Sequence, residues 1–297
     1  MFKFTFKRMT VVLVIVAGLI YGNSFHGIVV SGNDSLSSPI FDQEVKSILP
    51  SEITTDTGIE LVLIPAGEFT NSYIINKLTK SRRVIITKPF YLGKYPVTQR
   101  QWEEMMGSNP SKFKGNSDCP VENVTWATVQ EFIQRMNVKE STNRYRLPTD
   151  AEWEHAARAG TRTKYFWGGE IAYMDKYVWH RENSGARTHP VGMKLANPLG
   201  LYDILGNVSE LVQDKIDSRY YFYDGMIDYY NDAPVLIDPI GTSYTSGYGP
   251  DLFNTLRGGS WFWSSAEISV DKRLSGLIFF LDKESGNVGF RLAASVD

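Results

Sequence analysis

The chain has one cysteine, Cys119, among 297 residues, so it cannot form an intrachain disulfide, a two-thiolate metal site or any mechanism needing two thiols in one chain. It has only four histidines, His26, His155, His180 and His189. It also lacks an excess of either charge. Lys+Arg number 31 against 33 Asp+Glu, for a net charge of −2, and that balance argues against a nucleic-acid partner, which needs a basic face. No Gly-rich phosphate loop, nucleophile elbow or internal repeat is present. The longest apolar run near the N-terminus, Thr10 to Tyr21, is about a dozen residues, short of the roughly 20 that span a bilayer.

That run follows Lys3, Lys7 and Arg8 and precedes the small residues Gly22, Asn23 and Ser24. This order predicts a signal peptide over 1–24 and an exported protein: periplasmic, secreted or membrane-anchored facing outward. An uncleaved N-terminal membrane anchor is the rival reading, and a buried strand or helix is the bland one. No cysteine follows the run, which speaks against a lipid anchor. Residues 25–57 read as a tether, with one short helix around Gln43 to Leu49. The folded domain is expected over 58–297.

Composition supports a globular domain: 42% of residues are apolar and 13% aromatic, with 25 Gly and 13 Pro. Ile59 to Phe69 reads as a strand followed by a Pro-Ala-Gly turn, and Val84 to Leu92 as a strand interrupted at Pro89. Three helices have start signals. Thr98 caps a short helix to Met106 with Trp102, Met105 and Met106 on one face. Thr125 caps a helix from Trp126 to about Asn137 with Val129, Ile133 and Met136 facing one way. Thr149 caps Asp150 to Ala159, with Glu152 at the capping-box position and Gly160 at the stop. Beyond Gly168 regular periodicity fades, which in one domain calls for aromatic packing or bound metal.

The ordered segments carry a resemblance. IPAGEF (64–69), FYLGKYPVTQRQWEEMMGSNPSKFKG (90–115), CPVENVTW (119–126), RLPTDAEWEHAARAG (146–160), NSGARTHPVG (183–192), NPLGLYDILGNVSEL (197–211), RGGSW (257–261) and NVGFRLA (287–293) resemble the formylglycine-generating enzyme family, the sulfatase-modifying factors. The resemblance spans about 58 to 293. It implies a single α+β domain, a C-type-lectin-like variant with little regular structure for its size.

The resemblance bears on two metals, calcium and copper. For calcium, carboxylates would come from Asp203 and Glu210 and backbone carbonyls from Gly206 and Val208. Calcium accepts six to eight oxygens on irregular backbone, so the chemistry is reasonable. Alternatively the stretch is a turn, with both carboxylates merely solvated or capping. A second family calcium site would lie near Asn183, where the remaining ligands are not evident. For copper, active members resemble R-G-G-S-x-x-C-x-x-x-x-C, whose two thiolates suit Cu(I). Here those positions are Trp263 and Ile268, while Ser260 is retained and a pocket tryptophan is replaced by Ser209. No copper and no formylglycine oxidase activity are expected.

What remains is a binding surface for a peptide, protein or glycan. The segment Trp261 to Gly286 and the insert Tyr220 to Tyr230 mix aromatic rings with charge, as recognition surfaces do. Trp261, Trp263, Ser209, Arg273, Tyr221 and Tyr223 are the expected ligand contacts, set against core packing of the same rings. The rival class is an enzyme with a different metal, using His180 or His189 with Asp175 or Glu182 nearby. Against it, His189 would fix its loop through a backbone carbonyl.

Overall fold

The computed structural model describes residues 49–75, 78–217, 234–240, 252–275 and 285–296. Residues 1–24, read as a signal peptide, the short helix read at 43–49 (all but its last residue) and the insert carrying Tyr221 and Tyr223 lie outside the described residues. Among those described, no helix is long and apolar enough to cross a membrane.

Five strands make the central sheet: β1 (Glu52–Thr54), β2 (Glu60–Ile64), β5 (Phe90–Gly93), β12 (Ala293–Ser295) and β6 (Tyr145–Arg146), in that spatial order. Every pairing in it is antiparallel. β1 lies in what the sequence reads as tether, so ordered structure starts earlier than Gly58. It pairs with β2 as a local antiparallel hairpin, Thr54 opposite Glu60 and Glu52 opposite Val62. β5 is the second strand from neither edge, and its four residues are all buried, as a strand covered on both faces must be.

The stretch Val84 to Leu92 divides between two sheets. β4 (Leu78–Ile86) pairs with β3 (Gly67–Ile75) and with β8 (Val235–Ile237), while β5 joins the central sheet. Pro89 separates them because it has no N–H for a ladder. A third sheet runs β10 (Arg273–Ser275), β9 (Leu252–Arg257), β7 (Ser209–Asp217) and β11 (Val288–Phe290), with β11 parallel to β7.

The three helices form where their caps place them: α1 (Gln99–Met106), α2 (Trp126–Lys139) and α3 (Asp150–Arg158). Each has a reciprocal capping box, closed by Gln101, Thr128 and Glu152 respectively. α3 stops one residue earlier than read, with Ala159 itself in the left-handed region (φ 47°). Trp102 of α1 stacks on Phe132 of α2 at 5.3 Å, and Phe290 of β11 meets both edge-on. That triad seats the helix pair on the core.

Candidate functional site

The run Arg257–Ser265 leaves the end of β9 and crosses the molecule between the core and the surface. Gly258 and Gly259 both have positive φ (85° and 73°). A Cβ on Gly259 would sit 2.7 Å from Ile268 Cγ1, so glycine is required there for space as well as conformation. Ser260 is fully buried, and its Oγ accepts from Phe262 N at 3.3 Å and Asn287 Nδ2 at 3.4 Å. Trp261 is pinned on both sides: its backbone N donates to Asn207 O at 3.0 Å and its Nε1 to Gly286 O at 2.9 Å.

The three aromatics then part ways. Trp263 is 8% exposed and Ile268 is fully buried, so both residues at the family's cysteine positions belong to the apolar core. Phe262, between the tryptophans, is 43% exposed. Its ring lies under the Arg181 guanidinium at 5.3 Å, and Arg181 Nε donates to its carbonyl at 2.9 Å. Phe113 meets Trp261 edge-on at 5.3 Å, with Lys112 over its outer side. The surface at this end is therefore Trp261, Phe262 and Phe113, rimmed by Arg181 and Lys112.

Three expected ligand contacts are corrected. Trp263 is core, as stated. Ser209 is fully buried at the start of β7, where it cannot meet a ligand. Arg273 points into a buried charge network: it donates to Asp150 Oδ2 at 2.8 and 2.6 Å and to Glu154 Oε2 at 2.7 Å. Sequence reasoning missed Phe262, Phe113 and Arg181. Strand alternation could not have found Phe262, because W-F-W lies in a turn closed by Trp263 N donating to Ser260 O at 3.1 Å. Nothing local marks Arg181.

The calcium set fits only in part. Asp203 is buried; its Oδ2 accepts from Gly192 N at 2.7 Å, and its Oδ1 has no hydrogen bond of good geometry. Burial pushes this carboxyl up to about 6, against the pull of the Gly192 N–H and Arg291. A buried carboxylate oxygen without a donor suits a cation. Glu210 does not. Arg291 grips both its oxygens (2.7 and 2.6 Å), and Trp153 Nε1 donates to one of them at 2.7 Å. A guanidinium fork fully occupies that carboxylate, so Glu210 is corrected from metal ligand to ion-pair partner. Asn183, near the second family site, is spent as a brace: its Oδ1 accepts from His180 N, and its Nδ2 donates to Asp175 and to Val178 O.

The histidines do not converge. His180 Nε2 lies 2.7 Å from Asp175 Oδ1 and its Nδ1 2.6 Å from Glu182 Oε2. This contact holds Asp175 below the usual carboxylate range. His189 stacks on Trp179 at 3.8 Å and bonds Ser184 O through Nε2 at 2.7 Å, the loop-fixing role. No group of three His, Cys, Asp or Glu that could hold a metal occurs among the described residues.

The fold agrees with the comparison to known families. The sulfatase-modifying factor enzyme 1-like domain matches residues 46–296, and the chain belongs to that family. The chaperone protein LppX of Paenibacillus barcinonensis is 33% identical over 205 residues, covering 52% of this chain and 71% of LppX. The formylglycine-generating enzyme of Streptomyces coelicolor is 28% identical over 213 residues, covering 68% of this chain and 60% of that enzyme. Among solved structures, Treponema denticola variable protein 1 superposes with a TM-score of 0.66 at 26% identity, covering 84% of this chain and all of that one.

Proposed function

We propose that this family member is an exported binding or accessory protein and not a copper-dependent formylglycine oxidase. One observation carries the reading: the two positions where the oxidase holds copper are a buried indole and a buried alkyl chain, Trp263 and Ile268. Neither offers Cu(I) a soft anionic donor. Cys119 is a single buried thiol whose pKa is raised by burial, so it does not substitute for a thiolate pair. The chaperone name of a relative is consistent with a binding role. The ligand, a peptide, protein or glycan, would meet Trp261 and Phe262 between Arg181 and Lys112.

Mass spectrometry tests this directly. After incubation with a sulfatase-type cysteine peptide, Cu(I) and air, the peptide should be unchanged. Conversion of its cysteine to an aldehyde would overturn the reading. Export is tested by fusing residues 1–30 to a reporter, which should cross the membrane. Calcium, if held, would rest on Asp203 with the Gly206 and Val208 carbonyls. A chelator should then lower the thermal midpoint of the wild type, since a ligand at a hundredfold excess over its Kd stabilises by about 2.7 kcal/mol. Glu210→Ala should destabilise equally with calcium and with chelator.

A further inference from the structure

A second cleft lies away from the 257–270 segment, none of whose residues line it. It encloses about 370 Å³ between the β3–β4 hairpin, the end of α3 and Pro234. Four arginines contribute to its lining, Arg82, Arg83, Arg158 and Arg162, against one acidic residue among the described lining, Glu68. Like charges gathered around one space repel unless something compensates them.

The four are not equivalent. Arg158 is buried and committed to Glu154 Oε1, with its Nε at 2.9 Å and its Nη2 at 2.8 Å. Arg82 is buried too and has a partner of its own. These two build the wall. Arg83 and Arg162 are exposed. Among the described residues Arg83 has one ion pair, a long contact of 3.5 Å to the exposed Glu68, and such a surface pair contributes little. Arg162 makes no ion pair among the described residues. The Ser81 and Thr70 hydroxyls lie in the same lining. Donors thus come from at least two walls: the hairpin on one side and the turn after α3 on the other.

We propose that this cleft binds an oxyanion of the phosphate class, with Arg83 and Arg162 as its principal charge-assisted donors. A tetrahedral anion accepts from several directions at once and matches guanidinium forks on opposed walls. A planar carboxylate would engage one wall. The site is independent of the binding-protein reading and stands or falls without it.

The test is a thermal-shift and calorimetric titration of the purified protein with inorganic phosphate, against chloride at matched ionic strength and against acetate. Phosphate should raise the midpoint saturably, and acetate should do so at least tenfold more weakly. The double variant R83A/R162A should keep its midpoint in chloride and lose tenfold or more in phosphate affinity, the scale of one lost charge-assisted hydrogen bond. Arg162→Glu alone, which removes no ion pair, should abolish the effect. The proposal is overturned by a phosphate shift no larger than chloride's, by an equal shift with acetate, or by full phosphate affinity in either variant.

Discussion

At Glu154 four side chains meet one buried carboxylate: Asn71, Arg158, Arg257 and Arg273. Burial alone would raise its pKa. The Arg273, Arg257 and Arg158 guanidiniums overcome that and hold it at about 2. Removing the charge takes a shared carboxylate from Arg158, Arg257 and Arg273, of which Arg158 and Arg257 are buried. Glu154→Gln is therefore expected to cost about 3–5 kcal/mol in urea denaturation, and a loss under 1 kcal/mol would show the network to be dispensable. The same group sets a pH dependence. Its folded pKa lies below its ordinary value of 4.5, so its contribution is complete above that pH and is lost as pH falls toward about 2. The loss is roughly 3 kcal/mol, and Glu154→Gln should flatten that part of the acid transition. His155 has the opposite chemistry and the same direction. Burial lowers its pKa from 6.5, so its contribution is present at neutral pH and lost as pH falls below about 6.5. His155→Gln should flatten the stability curve between pH 7 and 5.

Elements in this molecule are short, and their ends matter in proportion. The Thr149 hydroxyl accepts from Glu152 N, while the Glu152 carboxylate accepts from Thr149 N and also pairs with Arg146 at 2.6 Å. Thr149→Ala should cost about 1 kcal/mol, measured by chemical denaturation, with Thr149→Ser nearly neutral. A tighter constraint sits at Gly206, where the chain has φ 83° and passes against Trp179. A Cβ there would lie 2.4 Å from Trp179 O. Gly206→Ala combines left-handed strain with overpacking and should cost at least about 2 kcal/mol. A midpoint within 1 °C of wild type would show that this backbone approach relaxes freely.

Across the whole molecule, the last dozen residues hold the sheets together. β11 adds to β7 in one sheet, and β12 inserts between β5 and β6 in another. Between them Arg291, fully buried, donates to Gly93 O, Tyr202 O and both oxygens of Glu210. Deleting residues 285–297 removes two strands from two sheets and strands a buried carboxylate. The truncated chain should show no cooperative thermal transition and should be digested rapidly by protease. A folded, protease-resistant product would mean the core closes without its C-terminal strands.

The sequence by itself determined the family, the α+β class, the three helix starts and the absence of cysteine at 263 and 268. Those signals are local or positional: a capping threonine and its partner lie three residues apart, and a missing cysteine is missing in any fold. Tertiary structure decided the rest. Glu210 reads as a metal ligand until Arg291, 81 positions away, takes both its oxygens. Arg273 reads as a surface contact until Asp150 and Glu154, more than a hundred positions upstream, draw it inward. Of the W-F-W run, packing against the core buried Trp263 and left Phe262 outside. A side chain's type fixes what it can bond to, but only the closed fold supplies the partner, because burial makes an unpaired charge too costly to leave.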